Sequence, residues 1–198
     1  MDFLNALLQM YITLLSAIIA GVINSIWCKS RMLKCLQIPM DGGKNFVDGK
    51  RIFGDHKTWK GFVGYIVCNM VCMVLWGLVC SATGLEAYNM FYAGTANTVL
   101  TNLWIGFLLG IFYGIFELPN SFVKRRLGIT PGKSLSGWMK VVFVFMDQAD
   151  SVFGCVIVVC FYAPMSIGFY LLYVVVGAVT HILINMLLYV CKLRKNMF

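Results

Sequence analysis

The chain has 198 residues and a formal net charge of +8, with 60% hydrophobic and only 12% charged residues. Its mean hydropathy of +0.82 is far above that of a water-soluble domain and excludes an ordinary soluble enzyme. The length leaves room for about five helical spans of roughly 20 residues each, and for no separate soluble domain.

Five apolar stretches are long enough to cross the hydrocarbon core of a bilayer. They predict an all-α, polytopic integral membrane protein that forms a single membrane domain. The first stretch is too long for a cleaved signal peptide and lacks its basic start, so it is predicted to remain as a span. The predicted spans are residues 3–27, 61–80, 99–116, 141–161 and 165–190.

The basic residues predict how the chain crosses the membrane. Eight Lys and Arg lie in residues 28–60, five lie in residues 117–140, and the other three lie in the C-terminal tail. Because Lys and Arg accumulate in cytoplasmic loops, the N-terminus is predicted to be outside and the C-terminus cytoplasmic. The two basic segments are then inner loops of a multi-pass cell-membrane protein, and a site built from them faces the cytoplasm.

The first inner loop is rich in glycine and in basic residues. Its segment "DGGKNFVDGKRIFGDHKTWKG" has five glycines, which let a backbone approach an anion closely. Gly49 and Gly54 have the spacing of a P-loop, but Asp55 and His56 stand where Lys and Ser or Thr are required, so a P-loop is rejected. The pattern fits an anion-binding loop and, equally well, a flexible basic linker.

The second inner loop begins with a short basic segment, "LPNSFVKRRLGITPG". It predicts a separate short helix that begins near Pro119 and ends at Gly128. Ser121, Lys124 and Arg125 fall on one face of this helix, in an arrangement suited to phosphate. A basic cluster that only contacts anionic lipid head groups is the alternative.

The fourth predicted span contains two carboxylates, Asp147 and Asp150. Residues three apart share a helix face, and Asp147 is predicted to lie roughly 9 Å beyond Val141. An ionised carboxylate in a membrane costs at least about 2.5 kcal/mol, so the pair needs a cation. Mg²⁺ prefers such oxygen ligands and shares them with phosphates. An ion pair with Lys or Arg of the inner loops, or a pair wetted at the interface, is the alternative.

Together these segments resemble the CDP-archaeol synthases, a family related to the CTP:phosphatidate cytidylyltransferases. The likeness rests on "DGGK", "GKRIFGDHKTWKG", "ELPNSFVKRRLGITPG" and "DQADS", in this order within residues 41–151. The chain lacks the Lys-Asp pair and the His-Gly-Gly element of the broader phosphatidate group, which favours the archaeal-type subfamily. The SxxKR and DxxD elements of the family correspond to Ser121, Lys124, Arg125, Asp147 and Asp150.

The resemblance implies an enzyme that transfers a cytidylyl group from CTP to a membrane lipid phosphate, giving CDP-lipid and pyrophosphate. Asp147 and Asp150 are then catalytic residues and ligands of Mg²⁺, and Lys124 is the third catalytic residue. The lipid phosphate is either an archaeal ether-lipid phosphate or phosphatidate. The expected partners are CTP, the lipid and the bilayer, with no nucleic acid, and the oligomeric state is left open. The implied substrate-binding residues are Asp41, Gly54, Asp55, Lys57, Thr58, Asn120, Ser121, Lys124 and Arg125.

An ion- or proton-coupled transporter is the main alternative, since it would also use Asp147 and Asp150 within the membrane. Two features count against it: only one span carries acids, and five spans do not divide into two equal repeats. A CDP-alcohol phosphotransferase is disfavoured because "DQADSVFG" lacks both DGxxAR and a second DxxxD.

Overall fold

The computed structural model describes residues 3–130 and 137–192, and within them the chain is a bundle of long helices. Five of these helices are long and apolar enough to cross a membrane, so the predicted five-span, all-α architecture is confirmed. Pro131, Gly132 and the basic tail residues Arg194 and Lys195 lie outside the described residues. The helices are α1 (Phe3–Lys29), α2 (Trp59–Thr83), α3 (Val99–Arg126), α4 (Trp138–Tyr162) and α5 (Ile167–Val190).

Side-chain caps fix where three of the helices begin. Thr58, Thr98 and Ser166 each accept a hydrogen bond from the backbone N–H three residues further on, at 3.2–3.3 Å. Such a cap satisfies one of the N–H groups that the first turn of a helix leaves unpaired. Consequently α2 begins at Trp59 rather than at residue 61, and α5 begins at Ile167 rather than at residue 165.

The predicted separate helix at Pro119 is wrong, because α3 runs through this residue to Arg126. Inside a helix, proline removes one backbone hydrogen bond and its ring crowds the carbonyl four residues earlier, at a cost of about 3 kcal/mol. Membrane helices tolerate this where neighbouring helices support the freed backbone groups. Packing of α3 between α2 and α4 then keeps the helix continuous. The predicted end at Gly128 is confirmed: its φ is +74°, and two N–H groups after the helix donate to carbonyls in its last turn, at 3.1 and 2.9 Å. This is a Schellman motif.

Glycines bring the central helices into backbone contact. A Cβ on Gly106 of α3 would lie 2.6 Å from the carbonyl oxygen of Asn69 in α2. A Cβ on Gly154 of α4 would lie 2.4 Å from the carbonyl oxygen of Phe112 in α3. Small residues allow this approach in membrane helices. Since Asp150 precedes Gly154 by about one turn, this contact holds Asp150 against α3.

The first inner loop packs against the C-terminal end of α3. Within the loop, Asn45 and Arg51 form an isolated antiparallel bridge. Lys50 Nζ donates to the carbonyl oxygen of Arg126 at 2.7 Å, and Arg126 Nη2 donates to that of Arg51 at 2.5 Å. Arg126 also forms an ion pair with Asp48 at 2.9 Å. The loop therefore lies at the same end of the bundle as the last turns of α3 and the first turns of α4.

Candidate active site

The first inner loop and the adjoining helix ends surround an open cavity of about 610 Å³, which we call the inner chamber. Its size lies within the range of pockets that bind small molecules. All five helices contribute to its lining. The charged residues of that lining are Lys29, Lys57, Glu117, Lys124, Arg125, Asp147 and Asp150.

The two carboxylates of α4 converge on one point in this chamber. Asn120 Nδ2 of α3 donates to Asp147 Oδ1 at 2.6 Å and to Asp150 Oδ2 at 2.8 Å. Asp150 is buried, whereas the side chain of Asp147 is 35% exposed. Lys124 forms an ion pair with the second oxygen of Asp147. The predicted shared face is confirmed, and the ion pair with lysine exists beside an open chamber rather than in a sealed interior.

This carboxylate pair fits a hard divalent cation. No three His, Cys, Asp or Glu side chains within residues 3–130 and 137–192 are grouped so that they could hold a metal ion. Mg²⁺ does not need such a group, since it is commonly held by one or two carboxylates together with waters and substrate phosphates. The Asn120 amide nitrogen stands where a cation would contact both Asp147 and Asp150. Two protein ligands beside an open chamber are therefore a suitable donor set for Mg²⁺.

Glu117 also lines the chamber, although it was not among the site residues predicted from the sequence. It lies one turn before Asn120 on α3 and forms an ion pair with Lys57 of the first inner loop. Burial alone would lower the pKa of Lys57, but the carboxylates of Glu117, Asp150 and Asp147, with Glu117 contributing most among them, together outweigh burial and raise this pKa above its usual value. In the sequence, the position of Glu117 at the start of "ELPNSFVKRR" was the one feature that could have indicated its place in the site. The pair joins the first inner loop to α3 across the chamber.

Arg125 has unused hydrogen-bonding capacity beside the carboxylates. Its Nε and Nη1 atoms are buried, and neither has a hydrogen-bond partner in the part of the chain that the structure describes. Buried polar groups are nearly always paired, and a guanidinium prefers phosphate or carboxylate oxygens. Arg125 lines the chamber together with the buried Ser121. The arrangement is suited to an anionic ligand.

The predicted residues of the first inner loop fall into two groups. Among the described residues that line the inner chamber, Lys57 and Thr58 are present, while Asp41, Gly54 and Asp55 are not. Thr58 also caps α2. Asp55 has a 70% exposed side chain and pairs with Arg51 at 2.6 Å. The chamber thus brings together the predicted residues of α3 and α4 with only part of those from the loop.

The Asp41 side chain holds the first inner loop in shape by hydrogen bonds to several parts of it. Its carboxylate accepts hydrogen bonds from two nitrogens of Arg51 and from the backbone N–H groups of Gly43, Phe53 and Gly54. Burial alone would raise the pKa of Asp41, but these donors, first among them Arg51, hold it well below its usual range. With its side chain fully buried, Asp41 positions the segment that leads to Lys57.

Helix α5 contributes two residues, His181 and Asn185, that were not among the site residues predicted from the sequence. Asn185 Nδ2 donates to Gln148 Oε1 at 2.5 Å, and His181 Nδ1 lies 3.3 Å from the carbonyl oxygen of Gln148. Gln148 directly follows Asp147 on α4. These contacts tie α5 to the turn of α4 that carries the carboxylate pair.

Comparison with known protein families identifies the family to which the chain belongs. The CarS-like family, described as CDP-archaeol synthase, matches residues 3–198. The chain belongs to this family. The CDP-archaeol synthase of Thermofilum pendens is 34% identical over 157 residues, which cover 79% of this chain and 64% of that relative. That of Archaeoglobus fulgidus is 30% identical over 161 residues, which cover 79% of this chain and 82% of the relative.

A solved structure supports the fold of this CarS-like chain. It is an archaeal intramembrane enzyme of membrane-lipid biosynthesis, with a TM-score of 0.59 and 21% identity, covering 89% of this chain and 92% of that one. With the five apolar helices, this neighbour supports a multi-pass membrane protein. Membership of the family confirms the predicted resemblance and the predicted enzyme class, a cytidylyltransferase.

Proposed function

We propose that this CarS-like protein transfers the cytidylyl group of CTP to a membrane lipid phosphate in the inner chamber, giving CDP-lipid and pyrophosphate. The observation that carries the proposal is the convergence of Asp147 and Asp150 on one point, in an open chamber that also contains Lys57, Lys124 and Arg125. Acidic groups for a divalent cation and basic groups for phosphates are the parts that nucleotidyl transfer requires.

In the proposed reaction, a phosphate oxygen of the lipid forms a bond to the α-phosphorus of CTP. The bond between that phosphorus and the oxygen bridging to the β-phosphate breaks, and pyrophosphate leaves. The attacking phosphate is already ionised, so no side chain has to remove a proton. Catalysis then depends on positioning the two phosphates and on neutralising their charge.

Asp147 and Asp150 would hold Mg²⁺, which when bound supplies positive charge to the phosphate oxygens as the new bond forms. Arg125 has two buried donors without partners among the described residues, and we assign it to a phosphate group. Lys124 pairs with Asp147 in this structure and lines the inner chamber, so we assign it to a phosphate group as well. We assign Lys57, held by Glu117, to the nucleotide.

The same chamber sets the proposed orientation. CTP is dissolved in the cytoplasm and the lipid phosphate is anchored in the inner leaflet, so their phosphates meet near that interface. The inner loops carry thirteen of the sixteen Lys and Arg residues, which favours the cytoplasmic side. We therefore place the chamber and the C-terminus in the cytoplasm and the N-terminus outside.

Purified protein incubated with labelled CTP, Mg²⁺ and a panel of lipid phosphates tests the proposal. We expect labelled CDP-lipid and released pyrophosphate, with an archaeal ether-lipid phosphate preferred over phosphatidate because the relatives are CDP-archaeol synthases. CTP with Mg²⁺ should also raise the melting temperature of the protein in detergent. Absence of product with every lipid, together with no stabilisation by CTP, would overturn the proposal in favour of a transporter.

A further inference from the structure

Residues 30–38, which we call the juxtamembrane segment, form the start of the first inner loop directly after α1. Both ends of this segment are fixed to the first turn of α2. Lys60 Nζ donates to the carbonyl oxygen of Ser30 at 2.7 Å, and the backbone N–H of Trp59 donates to that of Ile38 at 3.0 Å. The segment is therefore held between the end of one membrane-spanning helix and the beginning of the next, which places it at the membrane surface.

The juxtamembrane segment exposes apolar side chains that lie outside the five long helices. Met32, Leu33 and Ile38 are 63%, 53% and 55% exposed. Leu33 also has φ +45° and ψ +48°, a left-handed conformation that residues other than glycine seldom adopt. Strained backbone of this kind is concentrated at sites that bind or switch, and clustered exposed apolar side chains mark interaction surfaces. The segment thus has the features of a surface that binds a partner.

Basic residues lie among these apolar side chains. Residues 28–40 contain Lys29, Arg31 and Lys34 and no acidic residue. Arg31 and Lys34 are exposed, and neither forms a salt bridge with any residue that the structure describes. Lysine and arginine beside apolar side chains at a membrane surface attract anionic lipid head groups. The charge of the segment is therefore complementary to an anionic bilayer.

We propose that the juxtamembrane segment binds the surface of the leaflet on the same side as the inner chamber. Its three exposed apolar side chains lie among the acyl chains, and its two exposed cations contact the phosphates of anionic phospholipids. The bilayer is the partner that the position favours, because it meets the segment wherever α1 and α2 cross the membrane. Binding here also fixes the height of the inner chamber relative to the head groups, since Cys28, Lys29 and Met40, on either side of the segment, line that chamber.

A fluorescent label on Cys35 measures where the segment lies. Cys35 and Cys191 are the exposed cysteines among the described residues, so Cys191→Ser leaves Cys35 as the exposed site, and adding Cys35→Ser gives the background. The labelled protein is placed in nanodiscs of phosphatidylcholine with or without phosphatidylglycerol. Each disc also contains a quenching phospholipid that has its spin label either near the head group or deep in the acyl chain. We expect the shallow spin label to quench more than the deep one, and its quenching to increase with phosphatidylglycerol.

A matched pair of charge changes tests the basic residues. Lys34→Gln removes a cation from the juxtamembrane segment, whereas Lys44→Gln removes one from an exposed position of the same inner loop outside that segment. In discs with phosphatidylglycerol, Lys34→Gln should lower the ratio of bilayer-bound to water-exposed label about fivefold, the factor that one cation contributes near an anionic surface. Lys44→Gln should keep the wild-type ratio.

Three results would overturn the proposal. The first is quenching that is equal with and without phosphatidylglycerol, or equal in Lys34→Gln and wild type. The second is strong quenching by acrylamide in the water with none by either spin-labelled lipid, which would show a solvated segment. The third is protection from acrylamide and from both lipids, which would indicate a protein partner, such as a second copy of the chain, in place of the bilayer.

Discussion

Replacing Asp41 with asparagine tests whether one buried carboxylate shapes the first inner loop. Asp41 Oδ1 accepts from Gly43 N–H and Arg51 Nη2 at 3.0 and 2.7 Å. Asp41 Oδ2 accepts from the N–H groups of Phe53 and Gly54 and from Arg51 Nε, at 3.0, 2.9 and 3.3 Å. Asparagine has one accepting oxygen, so in either orientation its NH₂ group faces at least two of these donors.

The expected cost follows from that count. A hydrogen bond to a charged group contributes about 1.5–3 kcal/mol, so losing two lowers the free energy of unfolding by about 3 kcal/mol at the low end. For a chain of this size, 1 kcal/mol corresponds to about 2–4 °C, so Asp41→Asn should lower Tm by about 6–12 °C. Asp55→Asn is the control, because its carboxylate is 70% exposed and a surface pair contributes at most about 1 kcal/mol.

Thermal unfolding of the purified protein in detergent, from pH 3 to pH 7, measures the effect. The pKa of Asp41 is held below its ordinary value, so its stabilisation is fully present above about pH 4 and is lost as the pH falls through the folded pKa. The Tm difference between wild type and Asp41→Asn should therefore be constant near neutral pH and narrow under acid. A variant with the wild-type Tm but weaker CTP binding would refute a positioning role and favour direct substrate contact.

Three further changes test other parts of the site. Glu117→Gln removes a carboxylate that raises the pKa of Lys57, so Lys57 should lose its positive charge at a lower pH than in the wild type. If CTP affinity is measured as a function of pH, the loss of affinity at alkaline pH should therefore begin at a lower pH in the variant. Gly154→Ala places a Cβ 2.4 Å from a carbonyl oxygen of α3, and it should destabilise the protein by about 1–3 kcal/mol with loss of activity. The control is Gly168→Ala, whose Cβ meets nothing within 4 Å, and it should keep wild-type stability and activity. Lys124→Ala should raise KM for an anionic substrate about tenfold, and unchanged kinetics would leave this lysine with a structural role alone.

The five helices were predictable because a membrane span leaves a long apolar stretch in the sequence that requires no knowledge of its partners. The shared face of Asp147 and Asp150 was predictable for a similar reason, since residues three apart on a helix are neighbours. Gly128 ended α3 as predicted because a left-handed residue at that position is the usual way to end a helix.

Contacts between distant segments were not predictable in the same way. The Glu117–Lys57 pair joins residues 60 positions apart, and the contact of Asn185 with Gln148 spans 37, so neither leaves a local pattern. Pro119 was assigned to a helix start because local propensity favours it there, yet packing against α2 and α4 kept α3 continuous. Asp41 lies in a glycine-rich, basic loop that suggested a ligand-binding role, and only the folded loop shows that both of its carboxylate oxygens accept hydrogen bonds from the loop itself.

Turnover of the two α4 aspartate variants shows whether this carboxylate pair carries the reaction. Asp147→Asn and Asp150→Asn would each remove one carboxylate from the point where the two converge, while Asp48→Asn, in the first inner loop outside the chamber lining, serves as the control. With Mg²⁺, CTP and a lipid phosphate, the account predicts that each α4 variant forms CDP-lipid at least about 10²-fold more slowly than wild type, with the control close to wild type. Wild-type turnover and wild-type Mg²⁺ dependence in a folded Asp147→Asn or Asp150→Asn variant would contradict it.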